Sequence, residues 1–193
     1  MKVRLGVVVT ALLLVGACGS DASRPASSKS PTAPSASEST AGSAFEVAPG
    51  RIGPVEAGMT LDEAKATGVL EETKPDPDAP CPPPSLQWKA PNTDKLDLQD
   101  HDGKIAVLGT GEPGFNTAEG VGVGSTLSEI EAAYPGSKVK ESPASGSLVY
   151  LQDGNRWLAV ALNEQPEDLK PSSKVNYLEV AVDEKPIAYP DGC

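Results

Sequence analysis

Val55-Glu56-Ala57-Gly58-Met59-Thr60-Leu61-Asp62-Glu63-Ala64 aligns with Val121-Gly122-Val123-Gly124-Ser125-Thr126-Leu127-Ser128-Glu129-Ile130 at an offset of 66. Val, Gly, Thr, Leu and Glu are shared. Thr60 with Glu63, and Thr126 with Glu129, have the T-x-x-E spacing of a capping box. In that motif the Thr hydroxyl accepts from the third helical amide and the Glu reaches back to the cap amide. Gly58 and Gly124 each stand two residues before a cap, where the chain must turn sharply. Leu61 and Ala64, then Leu127, Ile130 and Tyr134, fall at three- and four-residue steps, so each helix has one buried stripe. Gly68 and the pair Pro135-Gly136 stop the helices after two or three turns.

Each helix is followed by a pattern of three strands. The first copy gives Ser85 to Lys89, Asp94 to Gln99 and Lys104 to Gly109. The second gives Ser147 to Gln152, Arg156 to Asn163 and Val175 to Val182. Leu96 and Leu98 alternate with Asp97 and Gln99, as expected of a strand with one wet face. Asp102-Gly103 and Asp153-Gly154 read as hairpin turns. The fold expected is α+β: two tandem repeats, 45–114 and 115–193, each a short helical segment followed by an antiparallel β-meander.

The 193-residue chain has 16 Lys and Arg against 27 Asp and Glu, a net charge of −11. Only four of those cations and two of those acids precede Phe45, so the folding segment is strongly acidic. An acidic surface without a basic stripe argues against nucleic acid as a partner, and against charge-driven binding to anionic lipid. Three Cys and one His are too few for a zinc finger, a Cys-rich disulfide scaffold or a His-cluster metal site. No cofactor is called for.

Residues 1–17 read as an export signal. Met1-Lys2-Val3-Arg4 is positive, and the apolar run from Leu5 to Ala17 spans roughly 20 Å, short of the ~30 Å hydrocarbon core. It ends Leu14-Val15-Gly16-Ala17-Cys18, which resembles the bacterial lipobox. That resemblance implies a lipoprotein whose Cys18 receives diacylglycerol before cleavage and carries palmitate in the mature chain, anchoring it to the bilayer by acyl chains. An ordinary secretory signal or an uncleaved anchor is the other reading. Gly19 to Ala44 is nearly all Ser, Ala, Thr and Pro. Such a chain cannot bury enough surface to offset its ordering entropy, and as a coil it reaches roughly 28 Å. Residues 18–44 are thus expected to be a disordered tether on the extracytoplasmic face of the cell membrane.

With Cys18 lipidated, Cys81 and Cys193 form an even pair in an oxidising compartment, and a structural disulfide between them is expected. It would close a loop of 112 residues, worth about 4–5 kcal/mol in the chain-entropy picture. His101, in Asp100-His101-Asp102-Gly103, could in principle be a base oriented by a carboxylate. Neighbours in a hairpin tip point apart, however, and no Gly-x-Ser-x-Gly elbow supplies a nucleophile, so a solvated turn is the better reading. No catalytic residue and no metal ligand is therefore assigned. Gly120 to Gly124 lacks the Gly-Lys-Ser/Thr of a phosphate loop and reads as the turn opening the second helix. Trp88, Tyr150 and Trp157 are the candidate binding surface, with core packing the alternative for the two tryptophans.

The Gly-x-Thr-Leu-x-Glu helix starts and the Asp-Gly hairpins, in tandem behind a lipobox, resemble the beta-lactamase inhibitory proteins and the BamE-type outer-membrane-assembly lipoproteins. This likeness runs over about Arg51 to Pro186. It implies a non-enzymatic lipoprotein presenting a sheet face to a protein or envelope-component partner. The alternatives are an inhibitor of a secreted enzyme, which needs an aromatic concave face, and a small-ligand carrier, which needs an apolar cavity.

Overall fold

Thr60 caps its helix with φ −64° and ψ 157°, its hydroxyl accepting from Glu63 N–H while Glu63 Oε2 accepts from Thr60 N–H at 2.9 Å. Thr126 and Glu129 repeat the arrangement with the corresponding bond at 2.7 Å. Both capping boxes are complete. They start α1 (Leu61–Ala66) and α2 (Leu127–Ala133) in the computed structural model of the chain, which describes residues 45–74 and 83–188. The signal segment 1–17, Cys18, the tether, Cys81 and Cys193 lie outside the described residues. The described residues belong to the compact unit Ala41–Cys193.

Ahead of α1, β1 (Val47–Ala48), β2 (Arg51–Ile52) and β3 (Val55–Glu56) form a small antiparallel sheet. Next, β4 (Leu70–Glu72) and β5 (Leu86–Trp88) make a two-stranded ribbon. The principal sheet has six antiparallel strands: β6 (Asp97–His101), β7 (Lys104–Thr110), β8 (Val139–Glu141), β9 (Ser147–Asp153), β10 (Arg156–Leu162) and β11 (Val175–Val182). Their spatial order is β6-β7-β11-β10-β9-β8.

This architecture corrects the expected class. The chain is mostly β, 10% helical and 40% strand, rather than an α+β pair of helix-plus-meander repeats. The physical reason lies in the helices and in the pairing. Helices of six and seven residues bury only Ala64, and Leu127 with Ile130, which is too little to form a helical layer. The strands of the first half also divide. Two make the separate ribbon, while β6 and β7 join the sheet of the second half through the β7–β11 pair, with Leu108 opposite Val180. The two halves therefore share one sheet and one core.

The pleat sorts that sheet into two faces. One cross-strand row runs Leu98–Leu108–Val180–Leu158–Leu151, and the next runs Thr110–Leu178–Val160–Val149–Val139. These side chains face the main core, where Val47, Ile52, Val55, Trp88 and Ile130 meet them. The opposite face carries Asp97–Gly109–Glu179–Ala159–Tyr150 and Gln99–Val107–Ala181–Trp157–Gln152. Asp102-Gly103 forms a two-residue turn between His101 and Lys104 with φ 50° and 73°, the left-handed pair such hairpins need. The second hairpin turns one residue later than the Asp-Gly reading. Asp153 pairs with Arg156, leaving Gly154-Asn155 as the turn, with Gly154 at φ 61°.

Candidate functional site

The outer face of the six-stranded sheet mixes small and aromatic residues with Asp97, Gln99, Glu179 and Gln152. Leu148, Ala159, Ala161 and Tyr177 form a buried cluster separate from the main core, with Tyr150 and Ala188 packed on it. The chain beyond β11 packs on this cluster through Ala188. After Asp183, at φ 65°, residues Lys185–Ala188 run back across the face as a strap. Tyr150 Oη donates to Pro186 O at 2.9 Å, and Ser142 Oγ donates to Ile187 O at 3.3 Å. Trp157 and Tyr150 meet edge to face at 6.0 Å, and Lys185 Nζ sits 4.8 Å from the Trp157 ring and 5.4 Å from the Tyr150 ring. Burial, then the charge of Glu179, pushes the Tyr150 phenol above its ordinary value of 10.0.

Between the strap and the β6–β7 hairpin the same face opens into a groove of about 730 Å³. Val107 and Ala181 floor it, with Gln99 and Glu179 alongside; His101 and Lys104 stand on one wall, Lys185 and Ile187 on the other. Among the described residues, Ile187 is the large apolar side chain left exposed, at 45%. At the near end of the face Tyr177 Oη donates to Asp97 Oδ2 at 2.8 Å. Its ring passes directly over Gly109, where an added Cβ would lie 2.1 Å from the phenolic oxygen. Glycine at this strand position makes the crossing possible.

Tyr150 and Trp157 are thus brought together on this face. Trp88 is not. It lies in β5, 1% exposed, its indole N–H donating to Asp97 O at 3.3 Å and its ring 5.8 Å from that of Phe45. Trp88 is a core residue. Sequence reasoning missed the strap, Tyr177 and the small floor, although the Trp157-x-Ala159-x-Ala161 alternation marks a face too shallow to stay uncovered. His101 lies in the hairpin with its side chain 82% exposed and its Nε2 3.4 Å from Asp102 Oδ2.

A second groove, about 610 Å³, lies between β1, the 117–119 loop, the end of α2 and β9. Tyr134 Oη donates to Glu119 Oε2 at 2.5 Å and lies 2.7 Å from Thr117 Oγ1, which accepts from Val121 N–H. Burial, then the Glu119 bond, pushes the Tyr134 phenol up to about 12, and the Tyr134 bond holds Glu119 below its ordinary 4.5. A protonated phenol on an ionised carboxylate is a clamp between loop and helix, and neither group is poised to take up or release a proton near neutrality. Among the described residues no three His, Cys, Asp or Glu side chains converge as metal ligands would, and no helix is long and apolar enough to cross a membrane. Compared with protein families, curated proteins and solved structures, the chain matches none.

Proposed function

We infer that the protein is a lipid-anchored, extracytoplasmic binding module without enzymatic activity, which presents the outer face of its six-stranded sheet to a protein partner. The observation that carries this reading is the groove of about 730 Å³ beside a strap that leaves Ile187 exposed. A shallow floor of Val107 and Ala181 with charged walls suits a protein segment, which needs apolar contact at the centre and polar contact at the rim. The acylated Cys18 and the tether would hold the domain off the bilayer, within reach of envelope proteins. A disulfide between Cys81 and Cys193 belongs to the same reading, because both thiols would be in an oxidising space.

The test is crosslinking with mass spectrometry on the lipidated protein in its native envelope, with Cys18→Ala as the unanchored control. A reproducible protein partner, lost in the control, supports the reading. A co-purifying lipid or small molecule without a protein partner sinks it in favour of a carrier.

A further inference from the structure

β9 runs from Ser147 to Asp153, but β8 covers only its first part, pairing Val139, Lys140 and Glu141 with Val149, Leu148 and Ser147. Upstream of Val139 the chain comes off α2 through Gly136, at φ 88°, and does not follow β9 further. The alternation of an antiparallel ladder tells which groups this leaves open. Ser142 N–H donates to Gly146 O at 3.0 Å. Gly146 and every second residue after it, Leu148, Tyr150 and Gln152, therefore turn their main chain to the β8 side. Past the end of β8 that side carries the Tyr150 C=O and the Gln152 N–H and C=O, and these groups have no hydrogen-bond partner among the described residues. The other edge of the sheet is closed: β5 lies against β6, with Trp88 Nε1 donating to Asp97 O at 3.3 Å and Ser85 N–H to Asp100 Oδ1 at 2.6 Å.

This open stretch borders the groove of about 610 Å³, which Tyr150, Leu151 and Gln152 line on one side and residues 46–49 with Glu119 on the other. Gly136 and Ser137 line it too, so the groove lies in the path a longer β8 would take. Among the described residues its lining holds Glu46 and Glu119 and no lysine or arginine. Glu46 pairs with Arg51 at 2.6 Å, whereas Glu119 is exposed and accepts from Tyr134. We propose that the open edge of β9 takes up an extended segment of a partner protein as an added strand in line with β8, with a lysine or arginine opposite Leu151. Main-chain pairing supplies the affinity in this mode and alternate side chains supply the selectivity. Leu151, Val47 and Tyr134 all pack toward the main core, so a residue opposite Leu151 turns its side chain to the wall that carries Glu46 and Glu119. The chain's excess of acidic groups favours a basic segment in the same way. This surface is separate from the groove over Val107 and Ala181 and does not rest on it.

The test follows the Gln152 amide by NMR and hydrogen exchange in the full chain. The probe is the acetylated and amidated peptide Ser-Val-Lys-Val-Lys-Val-Ser. One control has Glu for both Lys; the other is N-methylated at the middle Val, which removes a ladder N–H and keeps every side chain. The lysine peptide is expected to shift the Gln152 amide saturably. At about ten times its Kd it should slow exchange there about tenfold, since only the free chain exchanges. N-methylation should weaken binding about fivefold, the loss of one ladder hydrogen bond. Glu119→Gln, which keeps an acceptor for Tyr134, should weaken it about threefold. No response of Gln152 to the lysine peptide, or equal binding of the N-methylated one, overturns strand addition. Equal binding of the glutamate peptide, or no loss in Glu119→Gln, overturns the choice of a basic segment. A Gln152 amide slow to exchange before any peptide is added also overturns the proposal, because the edge is then filled by the chain itself or by a second copy.

Discussion

Gly109→Ala isolates the packing that shapes the outer face. At most strand positions this change is mildly favourable, since alanine narrows the unfolded ensemble by about 0.4–1 kcal/mol, and Gly109 does not have the left-handed φ that would forbid it. Here the new methyl carbon would lie 2.1 Å from Tyr177 Oη, 2.7 Å from Cζ and 3.0 Å from Cε1. These atoms belong to a rigid ring that is 6% exposed, so the ring must tilt as a body. Overpacking of this kind costs about 1–3 kcal/mol. Tilting also breaks the 2.8 Å bond to Asp97, a charged-acceptor hydrogen bond worth about 1.5–3 kcal/mol. Set against the entropic gain, the net loss is about 1.5–5.5 kcal/mol. With a urea m-value of about 2 kcal/mol/M, the unfolding midpoint should fall by about 1–3 M. In a Tyr177→Leu background the obstacle is gone, and Gly109→Ala should become neutral or slightly stabilising. Equilibrium urea unfolding of the four members of the cycle reads this directly. If Gly109→Ala is as stable as the unsubstituted protein, or if its cost persists without Tyr177, the ring crossing is not what glycine serves.

Other expectations follow from the same geometry. Trp88→Ala should cost about 3–5 kcal/mol because it empties a core site, whereas Trp157→Ala should cost about 0.5–1.5 kcal/mol, chiefly its aromatic contact; urea unfolding separates them. Thr126→Ala should lose about 1 kcal/mol of stability from the uncapped α2. The backbone and hydroxyl bonds from Thr126 hold Glu129 below its ordinary 4.5, so their stabilisation is present above pH 4.5 and lost as pH falls through the folded-state value. The difference between Thr126→Ala and the unsubstituted protein should therefore shrink in acid, as urea midpoints across pH 3–7 would show. In alkali the sign reverses. Tyr134, raised to about 12 by burial and then by Glu119, releases its proton more readily when unfolded, so stability should decline as pH rises through 10 toward 12. Tyr134→Phe should lose that part of the decline, and tyrosinate absorbance should lose a late-titrating phenol in the same variant.

Local chemistry was the part of the fold written plainly in the chain. Thr60-x-x-Glu63 and Thr126-x-x-Glu129 start both helices, and the apolar runs in Arg156 to Leu162 and Val175 to Val182 set two long strands. What local pattern could not reveal was which strands meet. Val107 to Thr110 pair with residues 178–181, about 70 positions away, and nothing in either segment names the other. The repeat itself misled, because identical helix starts suggested two equal units although the first half gives the sheet two strands and the second gives it four. β1 to β3, two residues each, are too short to show a period. The candidate site was half legible. Trp157 and Tyr150 stand out by type, but Trp88 is an equally strong signal and lies in the core, since burial depends on which face its ribbon turns inward. The strap has no period or motif, and its role comes only from the face it covers.

Site-resolved photo-crosslinking in the native envelope bears most directly on the outer sheet face as a partner surface. A benzoylphenylalanine residue would replace Val107 in the groove, with a second version at Ser128 on exposed α2 as the comparison. Position 107 is expected to capture one protein reproducibly, position 128 not to capture it, and Cys18→Ala to lose the product. Equal capture from both positions, or none from 107 while 128 reacts, would contradict the assignment of this face.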